Sequence, residues 1–201
     1  MAVDFKESKT RENLMKAFAG ESQARNRYTI AARQAKKQHL YAIDMVFSFT
    51  AEQEREHAAI FYEHLTSLAG TSIAIESSYP VDIDEDVAKL LRFAQHNEYE
   101  EHDDVYANFA IIAKEEGFPR VAASFDMIAQ IEKTHGDRFG KFAELLESGK
   151  MYVSDVEVSW MCLNCGHIYT GTKLPERCPV CQEEKGFFVR LELAPFATGQ
   201  N

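Results

Sequence analysis

Apolar residues recur at three- and four-residue spacing along four long segments of the chain. This period puts them on one face of an α-helix, so the pattern predicts four amphipathic helices. Gly70 and Gly117 are expected to end the second and third helices, and Pro119 suits the first turn of the fourth. The helices are predicted at about residues 10–37, 39–69, 84–116 and 119–148.

The longest connection in this region, residues 70–83, lies between the second and third helices and contains Ser77, Ser78 and Pro80. The other connections are short, so the helices form two consecutive pairs joined by one crossover. A four-helix bundle with a single long crossover has the ferritin-like arrangement. The sequence therefore predicts a mainly α fold with a ferritin-like bundle over residues 1–149.

Seven polar residues lie in the apolar stripes of the predicted helices. Carboxylates are almost never buried unless they are paired or bind a metal. A Glu and a His three positions apart share one helix face, and this pattern occurs in two of the helices. One Glu from each of two helices, together with Glu-x-x-His from the other two, is typical of a di-iron or di-manganese site. The candidate ligands are Glu21, Glu54, His57, Glu98, Glu101, Glu132 and His135.

The candidate ligands repeat along the chain. Glu98 lies 77 positions after Glu21, and Glu132 lies 78 positions after Glu54. The two Glu-x-x-His histidines are also 78 positions apart. Each helix pair is therefore predicted to supply half of one metal site. The alternative is that these are ordinary surface Glu and His residues. Two Glu-x-x-His motifs that both lie in an apolar stripe, 78 positions apart, argue against this alternative.

Two tyrosines follow the same repeat. Tyr28 lies in the apolar stripe of the first helix, and Tyr106 follows it by 78 positions. Each can be a simple core residue. Their pairing favours a shared role beside the metal ligands.

A second, smaller domain is predicted over residues 150–201. An extended linker with Val153, Val156 and Val158 leads into two Cys-x-x-Cys pairs. That spacing is typical of a metal site rather than disulfides. Four thiolates in two such turns form a tetrahedral site that suits zinc or iron, and the spacing does not distinguish them. The ligands are Cys162, Cys165, Cys178 and Cys181.

Composition narrows the partners and the compartment. The net charge is −10, and no basic stripe is present that would neutralise phosphates, so no nucleic-acid partner is expected. No stretch of about 18 apolar residues occurs, so no membrane span is expected. The chain shows no signal-peptide pattern, and its cysteines suit a metal site in a reducing compartment. A cytoplasmic protein is therefore predicted.

The motifs together resemble the rubrerythrin family from one end of the chain to the other. The order of a bundle followed by a rubredoxin-like domain matches the conventional form of that family. The stretches that carry the resemblance are Ala19-Gly-Glu-Ser-Gln-Ala-Arg-Asn-Arg-Tyr28, Glu54-Arg-Glu-His57, Glu98-Tyr-Glu-Glu101, Glu132-Lys-Thr-His135, Trp160-Met-Cys-Leu-Asn-Cys-Gly166 and Cys178-Pro-Val-Cys181.

The resemblance implies a non-haem di-iron peroxidase that reduces hydrogen peroxide to water in oxidative stress defence. Its implied cofactors are two iron ions in the bundle and one iron in the four-cysteine site. Electrons would come through the rubredoxin-like iron from a free rubredoxin or an NAD(P)H-dependent reductase. A homodimer or higher homo-oligomer is implied, with the rubredoxin-like domain of one chain near the di-iron site of its partner.

The resemblance also implies how the carboxylates are used. Glu54 and Glu132 would bridge the two irons. Glu21 and Glu98 would be terminal ligands.

The catalytic residues implied by the resemblance are Glu101, His57, Tyr28 and Tyr106. Glu101 and His57 would exchange on one iron as the oxidation state changes, while His135 holds the other iron. Tyr28 and Tyr106 match tyrosines that form hydrogen bonds near the cluster.

Two other functions compete with the peroxidase. One is a ferroxidase or iron-handling protein of the ferritin class, in which the four-cysteine domain, called the ribbon below, is structural. Ferritins resemble the bundle but lack the carboxylate at Glu101 and the ribbon, which argues against it. The other is a non-enzymatic protein with zinc in the ribbon, and the complete ligand set in the bundle argues against that.

Overall fold

The computed structural model describes residues 3–195, which form a bundle of long helices followed by a small three-stranded sheet. The predicted helices are present, but a π-helical turn at Glu101–Val105 divides the third of them into two. The helices are α1 (Lys9–Lys37), α2 (Tyr41–Glu63), α3 (Val87–Glu100), α4 (Tyr106–Glu116) and α5 (Pro119–Glu147).

Local capping explains where the helices begin and end. The Ser8 hydroxyl accepts a hydrogen bond from the Arg11 amide at 3.1 Å, which satisfies a free N–H at the start of α1. Gly117 has a φ of +90°, the left-handed conformation that ends α4. α2 ends earlier than predicted, at Glu63, and a short 3₁₀ turn at Thr66–Leu68 continues the chain to the crossover.

The helices pack as two pairs, α1 with α2 and the α3–α4 segment with α5. Their apolar stripes form two separate clusters along the bundle. One contains Phe47, Leu91 and Phe139, and the other contains Phe61 and Phe125. The buried polar residues of the predicted metal site belong to neither cluster, so they interrupt an otherwise apolar core.

Three antiparallel strands form the second domain in the order β2-β1-β3. The strands are β1 (Val153–Cys162), β2 (Ile168–Lys173) and β3 (Phe188–Arg190). Trp160 is fully buried in β1, and the Arg190 guanidinium lies 4.6 Å from the centre of its ring. Arg190 also donates to the carbonyl oxygens of Lys150 and Val153, so it fastens the linker to the sheet.

The second domain packs against the bundle where α2 begins. The rings of Tyr41 and Phe187 stack with centroids 4.2 Å apart, and His39 Nδ1 lies 2.7 Å from Glu184 Oε2. Gly186 is required at this contact, because a Cβ there would lie 1.8 Å from the carbonyl oxygen of His39.

The boundaries proposed from the sequence, 1–149 and 150–201, include residues 1–2 and 196–201, which lie outside the described residues. Within residues 3–195, no helix combines the length and the apolar character needed to cross a bilayer.

Gly186→Ala should weaken the packing of the second domain on the bundle, because the added methyl group meets backbone that cannot move aside. We expect a loss of about 1–3 kcal/mol in the free energy of unfolding of the metal-free protein. Gly20→Ala is the control, since its Cβ would meet only the Tyr79 ring at 3.7 Å. That change should stabilise α1 by up to about 1 kcal/mol, and equal effects of the two substitutions would refute the packing argument.

Candidate metal centre

Six of the seven predicted bundle ligands meet in the middle of the bundle. Each residue of a group offers one ligand atom, and these atoms all lie within 4.8 Å of one another in each of two groups. Glu54 and Glu132 belong to both groups. The first group adds Glu21 and His57, and the second adds Glu98 and His135, so the sequence repeat becomes two half-sites that share two carboxylates.

The shared carboxylates each face both histidines. His57 Nδ1 lies 3.0 Å from Glu54 Oε2 and 2.9 Å from Glu132 Oε1. His135 Nδ1 lies 3.0 Å from Glu54 Oε1 and 2.8 Å from Glu132 Oε2. Each carboxylate therefore directs one oxygen to each half-site. The two imidazole rings are nearly parallel, with centroids 5.6 Å apart.

The two tyrosines connect the two helix pairs, each donating to a metal ligand of the other pair. The Tyr106 hydroxyl donates to Glu21 Oε1 at 2.5 Å, and the Tyr28 hydroxyl donates to Glu98. Both tyrosines are buried, and burial together with the neighbouring carboxylates raises the pKa of each well above its usual value. They therefore stay protonated and act as hydrogen-bond donors.

The π-helical turn explains a small irregularity of the repeat. Tyr28 follows Glu21 by seven residues, whereas Tyr106 follows Glu98 by eight. A π-turn takes up one extra residue, so Tyr106 still faces the same side of its helix as Glu98. This is why the repeat offset changes from 77 to 78, and that change was the sequence signal for the turn.

Glu101, the seventh predicted ligand, begins the π-turn and belongs to neither group. It is partly buried and lines a cavity of about 140 Å³ next to the metal residues. Burial, followed by the charges of Glu98, Glu132 and Glu54, raises the pKa of Glu101 well above the usual value. Glu101 thus lies within electrostatic reach of the cluster, and its role as a ligand stays a prediction.

Burial and mutual repulsion shift the pKa values of the carboxylates and histidines in the cluster. Burial raises the pKa of Glu21 and of Glu98, and the neighbouring carboxylates raise it further. Burial would lower the pKa of His135, but the close approach of Glu132 and the other carboxylates outweighs it and raises the pKa to about 12. Burial would raise the pKa of Glu132, but His135 and His57 outweigh this effect and lower the pKa to about 2. The site is therefore acidic and strongly favours cations.

The donor atoms fit a pair of metal ions. Seven buried side-chain atoms of these ligands have no hydrogen-bond partner among the described residues: Glu21 Oε2, Glu54 Oε1, Glu98 Oε2, both Glu132 oxygens and both His135 nitrogens. Buried polar atoms normally find partners, so atoms that converge without directed hydrogen bonds indicate metal ligands. Carboxylate and imidazole donors with shared carboxylates suit two iron or manganese ions.

Sequence reasoning missed one residue beside the site, Arg138. It follows His135 by three positions on α5, and its guanidinium donates to Thr50 Oγ1 at 2.8 Å and to Gln53 Oε1 at 3.1 Å. Burial lowers the pKa of Arg138, while the nearby carboxylates oppose that shift. Its spacing from His135 placed it on the same helix face, which was the available signal.

The four cysteines of the second domain also form one group, with ligand atoms within 4.8 Å of each other. Cys162 Sγ lies 3.8 Å from Cys181 Sγ, and Cys165 Sγ lies 3.7 Å from Cys178 Sγ, so these pairs are free thiols rather than disulfides. A backbone hydrogen bond from Glu183 lowers the pKa of Cys181 to about 6, which favours the thiolate that a metal needs.

The fold and the two sites define a class of protein: a ferritin-like bundle with a carboxylate and histidine two-metal centre, joined to a four-cysteine metal domain. The rubrerythrin family model matches residues 12–143, and the rubrerythrin rubredoxin-like domain model matches residues 160–189. The chain belongs to the rubrerythrin family. The family models and the groups of ligands confirm the predicted cofactors, a di-iron site in the bundle and one iron in the four-cysteine domain.

Similar proteins cover nearly the whole chain. Rubrerythrin of Clostridium perfringens is 45% identical over 91% of this chain and 94% of its own length. Rubrerythrin of Nitratidesulfovibrio vulgaris is 39% identical over 92% and 96%. Among solved structures, mixed-valent nigerythrin has a TM-score of 0.61 at 27% identity, covering 94% of this chain and 91% of its own. The predicted fold class and family are thereby confirmed.

Replacing a shared carboxylate should empty the bundle site and spare the ribbon. We expect Glu54→Ala or Glu132→Ala to lower the affinity of the bundle for iron by more than about 100-fold, because each half-site loses an oxygen donor. Metal analysis after anaerobic reconstitution measures this. Glu56→Ala is the matched control, since that exposed side chain contacts Arg55 and lies outside both ligand groups. Bundle iron retained in both core variants would exclude the shared-ligand arrangement.

Proposed function

We propose that this member of an oxidoreductase family reduces hydrogen peroxide to water at the bundle site. The observation that carries the proposal is Glu101. It adds a fifth carboxylate to the surroundings of the cluster and lies where a cavity reaches the metal residues. A small polar substrate that enters this cavity would meet Glu101 and Tyr106 before any other residue of the site.

Two bound ferrous ions would supply the two electrons that break one O–O bond. The chain must hold these ions, keep bulk water away and manage two protons for each peroxide. Glu54 and Glu132 are fully or almost fully buried and lie between the two histidines, so they are suited to bridge the ions. Glu21, Glu98 and His135 are suited as the remaining fixed ligands.

Glu101 and the tyrosines are suited to proton handling. The raised pKa of Glu101 favours its protonated form, so this carboxyl can hold a proton beside the substrate cavity. The Tyr106 hydroxyl, bound to Glu21, lines the same cavity. Tyr28 performs the equivalent hydrogen bonding to Glu98 on the other side of the cluster.

His57 is suited to exchange with Glu101. It keeps a small exposure of 5%, whereas His135 is fully buried, so His57 has the looser surroundings of the two histidines. Hydrogen bonds to Glu132 and Glu54 outweigh burial and raise the pKa of His57 to about 9. Because protonation competes with metal binding, His57 would be the more easily released of the two histidines, and the Glu101 carboxylate could take its place as a ligand.

The route of electrons favours a homodimer. Within one chain the second domain contacts α2 at Tyr41, and Glu54 lies 13 residues further along that helix. At 1.5 Å per residue this separates the contact from the cluster by about 20 Å. We propose that the four-cysteine iron of a partner chain approaches the bundle site more closely, and that a rubredoxin or an NAD(P)H-dependent reductase reduces that iron.

The proposed activity is tested by stopped-flow mixing of the anaerobically reduced protein with hydrogen peroxide and, separately, with dioxygen. The visible absorption of the oxidised four-cysteine iron reports the arrival of oxidising equivalents. We expect fast reoxidation by peroxide and slow reoxidation by dioxygen. Equal slow rates with both oxidants would refute the peroxidase and favour the iron-handling alternative.

Cys178→Ser should block the entry of electrons without damaging the bundle site. Loss of one thiolate removes the four-sulfur environment of the iron, so continuous turnover with a reductase should stop. A chemically reduced bundle site should still consume one equivalent of peroxide. Ser159→Ala is the control, because it removes one exposed hydrogen bond of the same sheet, to Thr170. Continuous turnover by Cys178→Ser would show that electrons take another route.

A further inference from the structure

The cavity beside Glu101 has a roof that belongs to the crossover between the two helix pairs. Glu101 and Tyr106 line the cavity, together with walls that come from α1 and α3. Residues 77–80 form the roof. With a volume of about 140 Å³, the cavity is well below the roughly 300 Å³ at which pockets begin to enclose drug-sized ligands.

One side chain of the crossover, Asp82, fixes the roof to both walls. Its Oδ2 atom accepts hydrogen bonds from Arg27 Nη1 on α1 at 2.5 Å and from Asn97 Nδ2 on α3 at 2.7 Å. The side chains of Arg27 and Asp82 are only 14% and 16% exposed. A charged pair that is this well shielded from water resists separation more than a surface pair does.

The remainder of the crossover is held weakly. The Tyr79 hydroxyl donates to the Lys16 carbonyl oxygen at 3.0 Å, and residues 72–83 form no helix or strand. Val81 and Ile83 point to solvent, with exposures of 86% and 81%. Segments with few buried contacts open at low free-energy cost, so Asp82 is the main restraint on the roof.

The interior of the cavity suits a small molecule with oxygen acceptors. Arg27 lines it, and the Nε–H group of Arg27 is buried with no hydrogen-bond partner in the part of the chain that the structure describes. Gln23 and Asn97 add amide groups. A buried donor without a partner is costly, and a peroxide oxygen or a water would satisfy it.

We propose that residues 77–82 form a lid, latched by Asp82, that admits hydrogen peroxide to Glu101 and excludes hydroperoxides with bulky organic groups. The proposal rests on the peroxidase function proposed above and adds the determinant of its substrate size. Hydrogen peroxide is small enough to enter the cavity of about 140 Å³ as it stands. On this proposal, the aromatic ring of cumene hydroperoxide enters only if the roof lifts and the hydrogen bonds of Asp82 break.

The experiment compares kcat/KM for hydrogen peroxide and for cumene hydroperoxide in the iron-loaded full chain. Asp82→Ala should raise the ratio of cumene hydroperoxide to hydrogen peroxide activity by about 10-fold or more, the discrimination that a steric pocket supplies. Asp84→Ala is the matched control, because Asp84 lies on the same segment but pairs with Lys89 away from the cavity. Its activity ratio should equal that of the wild type.

A second readout uses the metal-free protein and does not depend on activity. Glu76 and Ser77 are exposed, and a glutamate-specific protease should cut the bond between them faster when the flanking segment can leave the bundle. Asp82→Ala should accelerate this cut by about 10-fold, and Asp84→Ala should leave it unchanged. Tyr79→Ala, which removes the ring that roofs Gly20, provides a second opened variant with an intact latch.

The outcomes separate the two proposals. A faster cut together with a higher activity ratio supports the lid. A faster cut with an unchanged ratio in both opened variants overturns its role in selection, and an unchanged cut overturns the latch. Hydrogen peroxide turnover that is absent in the wild type as well overturns the peroxidase function, and the lid proposal with it.

Discussion

Everything in the bundle depends on the burial of several carboxylates in one place. An uncompensated buried carboxylate costs several kcal/mol, and here each such group also repels its neighbours. Tyrosine hydroxyls and imidazole nitrogens compensate part of the negative charge. The carboxylate oxygens that have no hydrogen-bond partner are available to bind cations. The apolar clusters on both sides give these groups no alternative partner, so the same residues that would destabilise an empty bundle make it a strong metal binder.

Much of the fold and the site could be predicted because helical phase and spacing encode them directly. A residue such as Glu132 can lie in an apolar stripe only if its helix turns it inward, and the repeat then pairs it with Glu54. The cysteine spacing is similarly informative, since two short turns are enough to build a four-sulfur site. The π-turn was missed because helix patterns assume a constant period, although the longer interval between Glu98 and Tyr106 already recorded it.

Other features could not be read from local patterns, since they depend on contacts between segments distant in the chain. The course of the crossover follows from Asp82 meeting Arg27 and Asn97, which lie 55 and 15 positions away. The packing of the second domain depends on Gly186 approaching the backbone of His39. Neither residue carries a periodic signal, because each acts through one tertiary contact. The end of α2 has a local cause instead: hydrogen bonds between residues three positions apart replace its last two predicted turns.

The two helix pairs supply equivalent ligands, but the surroundings of those ligands differ. Under the 77-residue offset, the position in α1 that corresponds to Glu101 is Ala24, which is buried. The extra carboxylate therefore comes from the helix pair with the π-turn, and it lines a cavity to which α1 and the crossover also contribute. By breaking the repeat at one turn, the chain places an extra carboxylate and a cavity beside an otherwise repeated ligand set.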